Sequence, residues 1–321
     1  MLLAIFLTLR IAYSASSRRP EGSPGTDGSF CHCFQDFGDY HAGMTLALAY
    51  ADGADWQPIE ILTAILLITG LPIAYILLHH YFRNPPDRTP LDARIVARAW
   101  PIPLAALTLA LYFLLNVLAS ATKPFFYAYQ MPVVRLVAAI AVYGTVMLFA
   151  AWITRRRRST WTESFGLGRR QLRCLLYAPL LYLALIPFLM VATHLFHLLL
   201  EALSGSETQM QDAAQLIAEE RSWLQVCYML VATLAAPFYE EVIFRGIFFP
   251  AFAKHAGRTG GIVLASAFFA LMHMHLPSFL PLFMLSAVLC FAYWRTGSLW
   301  TCIGLHAIYN AVSVFSLHLS G

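Results

Sequence analysis

The last third of the sequence holds a small set of polar side chains at helical spacing. FYEEVIFRG, residues 238–246, contains Glu240, Glu241 and Arg245; FALMH, residues 269–273, ends on His273; HAIYN, residues 306–310, sets His306 and Asn310 four apart. Successive residues of a helix point about 100° apart, so Glu240 and Glu241 face different ways. Glu241 and Arg245 share a face with the acid first, the favourable order, and are expected to form a structural ion pair. Glu240 is then left without a counter-charge from Arg245. A carboxylate held among apolar residues binds its proton more tightly, which suits a general base working near neutral pH. The side chains present are those of acid–base chemistry.

Their surroundings make them unusual. The chain has 321 residues, 59% hydrophobic and 12% charged, about half the charge of a soluble domain. Several apolar runs approach the roughly 20 residues that a helix needs to cross a bilayer. The expected fold is an all-α, polytopic integral membrane protein. Spanning helices are predicted at about 59–82, 100–121, 132–154, 174–202, 223–250, 261–276, 279–295 and 298–318, eight in all, the last four forming a functional core. A charge near the bilayer centre costs at least about 2.5–3.5 kcal/mol, so residues placed there are functional candidates. Counted along their helices, Glu240, His273 and His306 fall roughly 12–18 Å from the same surface. His79, His80, His194, His197 and His275 read as helix contacts.

Basic residues orient the chain. Arg83, Arg88, Arg94 and Arg98 lie in the connection 83–99, and Arg155–Arg158, Arg169, Arg170 and Arg173 in 155–173; Lys254, Arg258 and Arg295 lie in two further connections on the same side. The connection 203–222 is acidic. The positive-inside rule puts the basic connections in the cytoplasm and the C-terminus outside. The net charge of +4 comes largely from Arg155–Arg158 and calls for no nucleic-acid partner. Residues 1–57 read as a poorly ordered segment. Within it MLLAIFLTLRIAYSA resembles a signal peptide interrupted by Arg10, and Cys31-His32-Cys33 lacks the second cluster of a metal site. SETQMQDAAQLIAEERSWL, residues 206–224, is read as an ordered loop, with a short interfacial helix as the alternative.

The three motifs EEVIFRG, FALMH and HAIYN resemble EExxxR, FxxxH and HxxxN of the CPBP family. These are intramembrane endopeptidases that include CAAX prenyl-protein proteases, bacteriocin-processing proteins and proteins like lysostaphin resistance protein A. The resemblance covers about residues 220–318, behind an N-terminal set of transmembrane helices at 58–205. It implies that Glu240 and His273 activate a water and that His306 and Asn310 hold the oxyanion or scissile carbonyl, with Glu241 and Arg245 as the structural pair. The implied partners are a membrane-associated protein or peptide substrate and the lipid bilayer, in a bacterial inner (plasma) membrane. Glu240, His273 and His306 could instead ligate zinc. No HExxH is present, and ligation would occupy the one evident base, so a metal-free reaction is the preferred reading. Two other classes are weighed. An idle peptide-binding or immunity protein is disfavoured by the intact motifs, and a proton-coupled transporter by the missing internal repeat.

Overall fold

Exposed apolar residues and buried charged ones invert the usual arrangement of a water-soluble protein. The structure is a computed structural model that describes residues 58–128, 132–204 and 223–319. In α1 (Pro58–Arg83) the buried residues are Thr63, Gly70 and Ala74, while Ile61, Ile65, Ile68, Tyr75, Ile76 and Phe82 face outward. Glu241 and Arg245 are fully buried. Such a surface belongs in hydrocarbon, where a helix satisfies its own backbone.

The remaining elements are α2 (Arg88–Arg98), α3 (Ile102–Ala128), α4 (Pro132–Arg156), α5 (Trp161–Phe165), α6 (Tyr177–Ser204), α7 (Trp223–Leu230), α8 (Ala236–Glu241), α9 (Phe249–Met272), α10 (Phe279–Thr296) and α11 (Leu299–Leu319). Every regular element among the described residues is helical. Six continuous helical stretches there are long and apolar enough to cross a membrane, and a seventh arises if α2 and the first part of α3, bent by 67°, count as one. One of the six, Trp223–Met272, has 50 residues, roughly 75 Å and far more than one crossing. It is broken at Gly257, whose φ of 71° and ψ of 174° are non-helical. The chain is a multi-pass integral membrane protein, all-helical across its described residues.

Three expectations are corrected. The connection 83–99 is mostly the amphipathic helix α2, capped by Asp87, which accepts from Thr89 N at 3.0 Å. The ten-residue loop expected between 250 and 261 is replaced by helix on both sides of Gly257. A single left-handed residue suffices there because small residues line the corner: a Cβ on Gly261 would lie 2.7 Å from Ala253 Cα. The helix expected to reach 276 ends at Met272, with His273 as its C-cap and Met274 at φ 50°. The readings of residues 1–57, the Cys31-His32-Cys33 cluster and most of 206–224 lie outside the described residues.

The basic connections meet at one end of the molecule. Arg94 Nη2 donates to Trp294 O at 2.6 Å and Arg98 Nη1 to Gly297 O at 2.8 Å, so α2 clamps the turn between α10 and α11. Asp92 accepts from Trp294 Nε1 at 2.7 Å, and the Arg258 guanidinium lies 4.7 Å from the centre of the Trp294 ring. Helix α5 begins with a capping box between Thr160 and Glu163. The hydrogen bonds from Thr160 hold the exposed Glu163 carboxyl below its ordinary pKa. That helix presents Phe165 to Gly246, where a Cβ would come 2.6 Å from the ring. The glycine that closes FYEEVIFRG is thus bare to admit an aromatic plug.

Candidate functional site

The helix that carries both glutamates is wound unevenly. Widened π turns cover Val231–Ala235 and Val242–Phe248 and flank α8. Each is followed at the second position by a proline, Pro237 and Pro250. Proline lacks an N–H and crowds the carbonyl one turn back, so a wider turn relieves the clash. The first π turn is closed by Ala236 N–H donating to Val231 O. In that register the partner of Ala232 O would be Pro237, which has no hydrogen to give. Asn310 Nδ2 supplies the bond instead, at 2.8 Å. The carboxamide is thereby fixed to the backbone of the glutamate helix, with its second N–H still available.

Glu241 is the hub of the polar cluster. Its Oε1 accepts from Arg245 Nη1 at 2.7 Å and lies 2.8 Å from His306 Nδ1. Glu241 and Arg245 are fully buried and His306 is 3% exposed. An ionised carboxylate can only accept, so Nδ1 of His306 carries a proton and the tautomer is set. His306 Nε2 then faces Glu240, 3.9 Å from Oε2, too long for a direct hydrogen bond. Glu240 Oε2 is buried and has no hydrogen-bond partner among the described residues. The two neighbouring carboxylates differ as their spacing implies, and Glu241 carries a second contact, to His306, that spacing does not reveal.

Phe269 ties the rest together. Its ring lies 4.5 Å from the Arg245 guanidinium, 5.7 Å from the His306 ring and 4.7 Å from the His273 ring. The aromatic face attracts the guanidinium, whose Nη1 donates to the Glu241 carboxylate. His273 Nδ1 is 2.8 Å from Phe269 O, which leaves Nε2 free for chemistry. No ion pair within 4.0 Å joins His273 to Glu240 among the described residues. The structure therefore gathers Glu240, Glu241, Arg245 and His306 in direct contact or near it, with His273 joined through Phe269 and Asn310 through the Ala232 carbonyl. Tyr143 of α4 stacks on Tyr239 at 4.3 Å beside Glu240 in the chain. No spacing rule could find that contact, because the partner comes from a distant span.

A zinc site would need at least three converging donors. Among the described residues no three His, Cys, Asp or Glu side chains are arranged to hold a metal ion. His306 Nδ1 faces Glu241 and His273 Nδ1 faces the Phe269 carbonyl, so Nε2 is the ring atom that either imidazole offers to the site.

Residues 222–312 match the family model described as Type II CAAX prenyl endopeptidase Rce1-like. Comparisons with curated proteins and with solved structures give no match. The match begins where the glutamate helix begins and ends just past Asn310, so it takes in all three motifs. Residues 222–312 of this membrane chain are thus similar to a Rce1-like type II CAAX prenyl endopeptidase domain, which bears out the resemblance of EEVIFRG, FALMH and HAIYN to the CPBP family.

Proposed function

We propose that the chain hydrolyses a peptide bond of a membrane-associated protein or peptide, in the manner of a CAAX protease, with Glu240 as general base. The observation that carries this reading is the contrast between the two carboxylates. Glu241 holds both Arg245 and His306 through Oε1, only its Oε2 being unpartnered, while Glu240 Oε2 is buried, without a partner among the described residues and 3.9 Å from His306 Nε2. That separation lets both atoms hold one water between them. Glu240 takes the proton as the water attacks the scissile carbonyl and gives it to the amide nitrogen as the C–N bond breaks and the amine leaves. His273 is a further group at the water, as the family resemblance implies. His306, with Nδ1 held by Glu241, offers an N–H from Nε2 when doubly protonated. With the free N–H of Asn310 it stabilises the oxyanion. No metal enters the reaction, and eight spans carry the site, counting the two arms about Gly257 and α3 separately.

The test is Glu240→Gln in purified full-length protein with a membrane-peptide substrate. It is expected to remain folded and inserted and to lose at least about 10²-fold in activity, the lower end for removal of a general base. The wild type is expected to keep its activity after exhaustive chelation. Loss of activity to chelator with specific recovery on zinc would overturn the metal-free mechanism.

A further inference from the structure

Away from the peptidase cluster, a cleft of about 470 Å³ opens at the basic end of the bundle, lined by Leu104 of α3 and by Trp152, Ile153, Arg156 and Arg157 at the end of α4. We infer that this cleft binds the phosphodiester headgroup of an anionic phospholipid, with an acyl chain along Leu104 and Trp152. The lining has the two halves that such a ligand needs. Leu104 and Ile153 form an apolar floor, Trp152 is half exposed on the outer surface, and two guanidiniums stand at the rim.

The arginines are available for a ligand because the helix end does not use them. Helix α4 closes in a Schellman motif: Ser159 N donates to Thr154 O at 3.2 Å and Arg158 N to Arg155 O at 3.0 Å, with Arg158 left-handed at φ 53°. Those terminal carbonyls are therefore satisfied by backbone. Among the described residues no carboxylate pairs with any of Arg155–Arg158. Aromatic rings hold two of them in place: Arg156 lies 5.3 Å from the centre of Trp152 and Arg157 6.0 Å from that of Trp100. Arg157 Nη2 also reaches Ala99 O at 3.5 Å. Two positioned guanidiniums over an apolar groove match the fork geometry that phosphate oxygens accept. Basic pockets between membrane helices on this side recognise lipid headgroups.

The experiment titrates purified full-length protein in neutral detergent with short-chain phosphatidylglycerol, short-chain phosphatidylcholine or inorganic phosphate, and follows the unfolding midpoint. Phosphatidylglycerol is expected to raise the midpoint saturably, while the other two leave it unchanged. Arg156→Gln with Arg157→Gln is expected to weaken the apparent affinity about 30-fold, at roughly fivefold per arginine. Leu104→Trp fills the groove without touching charge and is expected to abolish saturation. Arg169→Gln with Arg170→Gln, equally basic but outside the cleft, is the control and is expected to change little. An equal loss in that control would mean a diffuse basic field. An equal response to phosphatidylcholine or to phosphate, or unchanged binding in the arginine or Leu104 variants, would overturn the site.

Discussion

Glu240 and Glu241 are chemically identical neighbours whose environments assign them different work. Glu241 neutralises Arg245 and fixes the His306 tautomer. Glu241→Gln would strand the Arg245 charge in a fully buried position, at a cost of about 3–5 kcal/mol by analogy with broken buried pairs. The expected result is a large fall in thermal stability or membrane yield, with activity lost in consequence. Glu241→Gln combined with Arg245→Met removes both charges and is expected to recover part of the stability but not the full activity, since a carboxamide oxygen can still accept from His306 Nδ1 but no longer sets a negative charge beside the imidazole. Full activity in that double variant would show that His306 does not depend on the Glu241 charge. The ion pair was legible from the sequence because i,i+4 spacing is local geometry. The His306 contact was not, because it joins positions 65 apart. Depth counting brought the two helices to a similar level without showing which carboxylate the imidazole would meet.

At the scale of the element, the uneven winding between Val231 and Phe248 sets where each side chain points. The two prolines were visible in the sequence, but a wide turn is only one way to accommodate them, so the π geometry could not be read in advance. Asn310 was read through the family resemblance as an oxyanion donor, and its bond to Ala232 O gives it an anchoring contact as well. Asn310→Leu is expected to cost about 1–3 kcal/mol, the penalty for a buried carbonyl left without a donor. In a Pro237→Ala background, where residue 237 regains its N–H, the same change is expected to cost much less. A double-mutant cycle by thermal unfolding measures the coupling, and additive effects would separate the proline from the amide. Helix α2 shows the complementary case. Its arginines mark 83–99 as a basic connection, while its helicity rests on the Asp87 cap and on contacts with Trp294 and Gly297 that hydropathy does not register.

For the molecule as a whole, composition carried most of the fold, since the spanning helices were located to within a few residues except at the end of α3, which runs past 121 to Ala128, at the Gly257 corner and after His273. The non-spanning helix α2 was missed. A single glycine can end a span as effectively as a polar loop, and hydropathy does not register that. The gathering of α2, α5, the Gly257 corner and the α10–α11 turn at one end agrees with the expectation that the basic connections share a side. Orientation is testable in a cysteine-free background carrying Arg155→Cys or Asp212→Cys. An impermeant thiol reagent applied to intact cells is expected to label position 212 and to spare position 155. The reverse pattern would put the basic end on the outer side.

The confinement of Glu241 and Arg245 to one helix has a consequence for biosynthesis. Chain synthesis delivers Trp223–Met272 to the insertion machinery well before α11 exists, so His306 cannot help the charges enter the bilayer. Each alone would cost several kcal/mol at mid-membrane, but one turn of helix brings them together as soon as the segment coils. The cluster is therefore assembled in two stages, a self-neutralised pair first and the imidazole later. A chain truncated after Gly297 is expected to insert as efficiently in that segment as the complete protein does. The same truncation with Glu241→Gln is expected to leave the segment largely outside the membrane, as glycosylation-site mapping would register. Equal insertion of the two truncated chains would mean that neighbouring spans, not the local pair, carry Arg245 across.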